Sequence, residues 1–444
     1  MKLPRILIAA ASSGSGKTMI TCGILQMLTD SGRKVSSFKC GPDYIDPMFH
    51  SRVLGTRSRN LDPFFCEGDL LKDAFVRSAV HSDISVVEGV MGYYDGIRID
   101  GTEKSSCEVS LRLGIPTILL VNADGSSVSS LAVLKGFLDY DRNMIKGVIF
   151  NRMSASTFNG LKDKVEAMGV KAIGYVPKMP ELAVESRHLG LVLPDEVSEL
   201  HGRMKALAAR MSETVDIDLL MELADSAEDI SYEPVPAERI ADVRVGVAYD
   251  DAFCFLYDDN LDLLQEMGAE IVRFSPLNDD RLPDVDALIL PGGYPELHGE
   301  MLCSNVSMMK DIRDRLADGM PCHAECGGFM YLHDRMQDSE GVMRDMCGVI
   351  HGEVRNAGKL MRFGYASFSP KDGSMTVRGH EFHYWDSTDT GEDWEAVKNS
   401  GRSYGCIHDD GHMVAGFPHL YYRSDIRFAE RLIKDAARYR SMHR

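Results

Sequence analysis

The chain has 444 residues, and at about 150 residues per domain this predicts two or three domains. A formal charge of −18 excludes nonspecific nucleic-acid binding, and it obliges any anionic ligand to be held by local groups, not by the overall field. No apolar run approaches the roughly 18 to 20 residues that span a bilayer. Ten cysteines without a CxxC pair read as reduced thiols in a cytoplasmic protein, not as a zinc ribbon or a secreted disulfide framework.

In chain order, Arg5–Ala10, 35–39, Ile84–Glu88, Thr117–Asn122, 147–150 and 172–175 are largely apolar runs, most of them bounded by Gly, Pro or Asp. They predict buried parallel strands. The first run breaks straight into a Gly-Lys-Thr turn, so it reads as a strand and not as a signal peptide. Stretches 18–29, 128–138 and 158–168 carry helical spacing between the strands, which is an α/β, doubly wound pattern. Residues 226–241, SAEDISYEPVPAERIA, are polar and acidic with two prolines and predict an interdomain linker. A second α/β series follows: strands at Val243–Ala248, 270–274 and Ala287–Leu290, with helices at 260–267 and 306–318. The expected architecture is two doubly wound α/β domains, 1–230 and 242–444.

Gly14-Ser15-Gly16-Lys17-Thr18 follows the first strand and opens a helix, the context a phosphate-binding loop requires. Main-chain N–H groups and the helix dipole favour phosphate there. Lys17 would neutralise β- and γ-phosphate oxygens, and Thr18 would place a hydroxyl on Mg²⁺. The usual leading glycine is Ala11, and the competing reading is an ordinary strand-to-helix turn. Glu88 ends the strand that runs into VVEGVMGYYDG, so its carboxylate is expected at the ligand-binding edge of the sheet as a metal ligand. Standing alone, it would equally be a solvated strand-end glutamate. GPDYIDP at 41–47 supplies Asp43 and Asp46, which could bind metal or hold water, or mark a turn rich in Asp and Pro.

PCHAECGGFM at 321–330 reads as strand, sharp turn and helix with Cys326 at the turn. Small residues after Cys326 permit the strained geometry of a nucleophile elbow. The helix start is expected to lower the thiol pKa. The backbone N–H of Gly327 is the natural oxyanion donor, and Gly293 in Pro291-Gly292-Gly293-Tyr294 is positioned as a second. His419 is the chosen base and His383 the competitor. HEFH at 380–383 does not match HExxH, which rules out a zinc protease. A buried inert cysteine and a core histidine are the competing readings for Cys326 and His419.

Together the P-loop, GPDYIDP, VVEGVMGYYDG, RHLGL at 187–191, AECGGFMYL, GHEFHYWD and FPHLYY resemble the family of cobyrinic acid a,c-diamide synthases. The resemblance covers essentially the whole chain. It implies a dethiobiotin-synthetase-like ATP domain followed by a class I glutaminase domain, with Cys326 as nucleophile and His419 as its activator. In this subtype the third, acidic member is usually lacking, and the position two beyond His419 is Tyr421. The resemblance assigns Thr18, Asp43 and Glu88 to the metal, and Tyr44, Asp46, Arg187 and His188 to the substrate side. Asn151 is placed like the adenine-recognising segment of related synthetases; locally it could as well cap a turn.

The implied chemistry joins ATP, L-glutamine and a tetrapyrrole polycarboxylate, with Mg²⁺ as cofactor and neither nucleic acid nor membrane as partner. A homodimer is left open. Three rivals stand beside it: a nickel-sirohydrochlorin a,c-diamide synthase, cobyric acid synthase (disfavoured by GPDYIDP and RHLGL), and a partitioning-type P-loop switch ATPase with a vestigial glutaminase domain.

Overall fold

A computed structural model describes residues 1–179 and 194–443. It divides into two compact units, Met1–Val235 and Pro236–Arg444. Both are mixed α/β. Every cysteine is unpaired. Among the described residues no helix is long and apolar enough to cross a membrane.

The first unit is built on seven parallel strands: β1 (Arg5–Ala10), β2 (Val35–Cys40), β3 (Ser58–Leu61), β4 (Ile84–Glu88), β5 (Thr117–Asn122), β6 (Ile145–Asn151) and β7 (Lys171–Val176). Their order is β3-β2-β4-β1-β5-β6-β7. Helices cover both faces of such a sheet, so its strands read as continuous apolar runs instead of alternating ones. β1 is buried along its whole length. Its one charged residue, Arg5, is tolerated because its guanidinium donates to the carbonyls of Leu113 at 2.9 Å and Leu3 at 2.7 Å. The order sets up the site. β2, β4 and β1 are neighbours and run the same way, with Lys39 opposite Glu88 and Ile8 opposite Glu88. The segments that leave their carboxyl ends therefore converge on one edge, where ligands bind in open α/β sheets.

The second unit repeats this logic and then departs from it. β8 (Val243–Ala248), β9 (Ala269–Phe274), β10 (Ala287–Leu290), β11 (Cys322–Glu325), β18 (His408–Asp409) and β19 (Met413–Gly416) form a sheet ordered β18-β19-β11-β10-β8-β9, parallel except at the β18 edge. The turns after β10, β11 and β19 therefore emerge side by side, carrying Gly292-Gly293, Cys326 and the approach to His419. A second sheet was not expected from the sequence. It comprises β12 (His333–Gln337), β13 (Met343–Asp345), β14 (Ile350–Pro370), β15 (Val377–Ser387), β16 (Trp394–Lys398), β17 (Ser403–Cys406) and β20 (His419–Tyr421), mostly antiparallel. β20 pairs with β15, setting His419 opposite His380. Asn260 clamps this end: its Nδ2 donates to the Leu420 carbonyl at 2.8 Å, and its Oδ1 accepts from the Tyr422 N–H at 2.9 Å.

Candidate active sites

In the first unit the chain leaves β1 through residues 11–16 and enters the helix Lys17–Asp30, with Gly16 in the left-handed region at φ 91°. A Cβ on Gly16 would stand 2.5 Å from Nδ2 of Asn151. That same nitrogen donates to the Ser15 carbonyl at 2.9 Å. Asn151, at the end of β6, therefore braces the back of the loop, and only glycine fits between them. Lys17 arches over the loop, its Nζ donating to the carbonyls of Ser12 and Met91. Burial, then the nearby Lys39 charge, lowers its pKa.

Thr18, the next residue, reaches the acidic edge. Its hydroxyl donates to Glu88 Oε1 at 2.8 Å and lies 3.5 Å from Asp46 Oδ1. Lys39, which the sequence reading passed over, sits between the two carboxylates: Nζ is 2.9 Å from Glu88 Oε1 and pairs with Asp46 Oδ2. His50 Nε2 stands 3.3 Å from the other Glu88 oxygen, and Ser37 holds its Nδ1 at 2.8 Å. All of these groups except Thr18 are buried. Burial would strip Lys39 of its proton, but Glu88 and Asp46 outweigh it and its pKa rises. Burial also works to raise the Glu88 pKa, but Lys39 and His50 overcome it and the carboxylate is held down. Asp46, raised by burial and by the Glu88 charge, moves up to about 7.

Asp43 behaves differently. Its Oδ1 accepts from the Ile45 N–H at 2.9 Å, while Asn60 pins the carbonyls of Gly41 and Asp43 at 2.9 and 2.7 Å. Of the two aspartates it is Asp46 that turns onto Thr18, and Asp43 shapes the loop. Tyr44 is buried beside them. Arg187 and His188 lie outside the described residues. Among the described residues no cluster of three His, Cys, Asp or Glu side chains forms a ready metal shell. Thr18, Glu88 and Asp46 nonetheless offer the hard oxygen donors that Mg²⁺ prefers.

Lys39→Met should lower stability by roughly 3–5 kcal/mol, because it strands two buried carboxylates without their cation. Chemical denaturation of wild type and variant would read this directly; an unchanged midpoint would show that the cluster carries no compensated charge.

In the second unit Cys326 has φ 45° and ψ −103°, a strained corner between β11 and the helix Gly327–Leu332. Its N–H donates to the Gly416 carbonyl at 2.8 Å, and the Gly328 N–H to that of Pro291 at 3.0 Å, tying the elbow to both flanking strands. A Cβ on Gly328 would lie 2.0 Å from the Leu290 oxygen, so the turn can approach β10 only without one. A Cβ on Gly327 would lie 3.1 Å from the Gly293 nitrogen, which brings the two expected oxyanion residues to one spot. A Cβ on Gly292 would stand 2.4 Å from His419 Cε1 and 3.4 Å from Cys326 Cβ, so imidazole and nucleophile both come up against the same glycine. His383, the competitor, gives Nδ1 to the Trp385 carbonyl at 2.6 Å and stacks on Phe417 at 3.8 Å.

Two expectations are corrected here. The Cys326 thiol pKa is not lowered by the helix start. Burial, followed by the Glu296 charge, pushes it up, and the Gly327 N–H offsets only part of that. An acidic residue also stands at the imidazole after all: Glu325 Oε2 is 3.7 Å from His419 Nδ1. It precedes the nucleophile, whereas the sequence reading looked two residues beyond the histidine. Another buried carboxyl acting on the sulfur, Glu296, is raised by burial to about 7.

Residues 6–192 match the CobQ/CobB/MinD/ParA nucleotide binding domain, and residues 244–426 match the CobB/CobQ-like glutamine amidotransferase domain. Fold, elbow and matches together define a two-domain amidotransferase that binds a nucleotide in one unit and carries a glutaminase fold in the other. Cobyrinate a,c-diamide synthase of Listeria innocua is 38% identical over 94% of this chain and 96% of its own length. The namesake protein of Fusobacterium nucleatum is 37% identical over 96% and 98%, and that of Picrophilus torridus 36% over 98% and 99%. The chain belongs to the cobyrinate a,c-diamide synthase family.

Proposed function

We propose that the chain uses ATP and glutamine to amidate the a and c carboxylates of cobyrinic acid, as a C–N-forming ligase of cobalamin biosynthesis. The observation that supports this most is the pairing of two sites in one chain: Lys17–Thr18 beside Glu88, and Cys326 beside His419. Neither alone makes an amide from an acid.

At the first site a substrate carboxylate oxygen attacks the γ-phosphorus of ATP, ADP leaves, and an acyl phosphate remains. Lys17 neutralises the oxygens on which charge spreads in the transition state. Mg²⁺, held by Thr18, Glu88 and the 43–46 loop, would supply further charge neutralisation there. Ammonia then adds to the acyl carbon, inorganic phosphate departs, and one proton is lost to give the amide. Activation is needed because an untouched carboxylate would only take a proton from the amine. At the second site Cys326 attacks the glutamine amide carbon with His419 accepting its proton. The N–H groups of Gly293 and Gly327 receive the developing oxyanion, ammonia leaves, and water frees glutamate from the thioester.

Mass spectrometry of products after incubation with ATP, Mg²⁺, glutamine and either cobyrinic acid or nickel-sirohydrochlorin tests this. Two successive acid-to-amide mass steps on cobyrinic acid are expected. Conversion of the nickel macrocycle alone would overturn the substrate, and glutamine-independent ATP hydrolysis with no amide would overturn the ligase.

A further inference from the structure

We propose that Glu325, the residue immediately before the nucleophile, is the acidic positioning residue of the glutaminase site, orienting His419 through Nδ1 and stabilising the imidazolium that forms when Cys326 gives up its proton. This rests on the Cys326–His419 reading above.

The geometry is two-sided. Glu325 Oε1 accepts from the Leu420 N–H at 2.8 Å, so the carboxylate is fixed to the very strand that carries His419. Its Oε2 faces His419 Nδ1 at 3.7 Å. At that separation Oε2 is an electrostatic neighbour of Nδ1 and not its hydrogen-bond acceptor; a carboxylate on that side favours the Nδ1–H tautomer, which leaves Nε2 as the basic nitrogen. Both side chains are nearly sealed from solvent, where an ion pair is screened far less than at a surface. The position two beyond His419 cannot substitute: Tyr421 sends its hydroxyl to Asp259 at 3.1 Å.

The neighbours support a single pairing. His323 Nε2 stands 3.6 Å from the other Glu325 oxygen, and His380 stacks on His419 with centroids 5.0 Å apart. Burial pushes both of these imidazoles down, so both are neutral and leave Glu325 to the imidazole that takes the proton. Tyr422 faces Glu325 as an un-ionised phenol, its pKa raised by burial and then by Glu325 itself. Glu296 and Glu381 add negative charge near the sulfur, but Glu381 is engaged elsewhere, accepting from the Tyr404 hydroxyl at 3.0 Å. The burial that raises the Cys326 pKa gives Glu325 its purpose. A resting thiol must lose its proton during attack, so the base becomes cationic in the transition state, and a fixed anion at that moment lowers the barrier. The S–H proton passes to His419 Nε2 as the S–C bond forms, and from there to the departing nitrogen as the C–N bond breaks.

Glu325→Gln keeps an acceptor for Leu420 and removes only the charge. Glutamine-dependent kcat should fall by roughly 10²- to 10⁴-fold, with glutamine KM little changed. An imidazolium formed without its anion is less stable, so the acid limb of kcat/KM should move to lower pH. A purely structural role would not produce that shift. Ammonia-supported amidation, which bypasses this site, reports that the variant is folded. Glu325→Asp, which keeps the charge one methylene further back, should hold the wild-type acid limb with kcat reduced about tenfold. Wild-type kcat in Glu325→Gln, or a loss with the acid limb unmoved, overturns the proposal. Unchanged kcat in Glu325→Asp overturns it even if the Gln variant does not fold. Cys326→Ala run in parallel separates the two levels: if it still consumes glutamine, the nucleophile reading has failed, not the role of Glu325 alone.

Discussion

Cys326→Ala should abolish glutamine-supported amidation, by roughly 10⁵-fold or more as for other excised nucleophiles, and leave turnover with high ammonia in place. Cys326 stands at a backbone corner of φ 45°, a conformation that costs free energy for any residue with a Cβ. The strain is compensated by hydrogen bonds from its own N–H and that of Gly328 to the adjacent segments, and alanine keeps both. Alanine also deletes a thiol whose pKa is pushed up mainly by burial, so no buried charge is lost and the fold should persist. What disappears is the Cys326 sulfur, at the turn where Gly292 meets both Cys326 and His419. Ammonia-driven turnover should rise with pH, since only the unprotonated form attacks the acyl phosphate. Product assays with each nitrogen source decide it, and a variant that still used glutamine would remove Cys326 from the chemistry.

The parallel cores were readable because strands buried on both faces leave uninterrupted apolar runs. β1, β4, β5, β8 and β10 start and stop where the runs do. The antiparallel sheet of the second unit was not readable. β14 spans Ile350–Pro370 with polar and apolar residues on a half-exposed surface and register breaks between Asn356 and Gly364. No clean period of two survives such bulges. The 41–47 segment reads either as carboxylates that bind metal or water or as a turn rich in Asp and Pro; in the fold Ile45 already opens a helix with Pro47 in its first turn, where a proline costs no hydrogen bond.

At the sites, the sequence singled out local signatures together with Glu88 and His419, and passed over Lys39 and Glu325. Lys17, Thr18 and Cys326 announce themselves because their chemistry depends on the next few residues: a loop and helix start in one case, a tight elbow in the other. Lys39 and Glu325 matter through neighbours far along the chain. Lys39 meets Glu88 only because β2 lies against β4. Glu325 meets His419 because β11 and β19 are paired, with Glu325 opposite Gly416, three residues before the histidine. Inside an apolar strand a lysine reads as an edge or a solvated end. Only the strand order turns it into the counter-ion of two carboxylates.

That contrast makes Lys17→Ala the sharper test of the phosphate site. Two lysines lie in the field of the same carboxylates, and their environments push them in opposite directions. Lys39 is held charged by Glu88 and Asp46 against burial. Lys17 is disfavoured by burial and by Lys39, and the more distant acids do not restore it. A lysine whose folded pKa lies below its unfolded value destabilises the fold while charged; the penalty is full below the folded pKa and is relieved as pH rises from there to the unfolded pKa. Removing Lys17 should therefore leave the unfolding midpoint unchanged or higher, while amidation falls by roughly 10³-fold or more with glutamine and ammonia alike. On the proposed mechanism the cation is kept where the fold resists it because a phosphoryl group in transit needs it. Robust ammonia-driven turnover in Lys17→Ala would refute the phosphate role. A lowered midpoint would show that Lys17, like Lys39, is part of the structural charge pairing and not a cation reserved for the ligand.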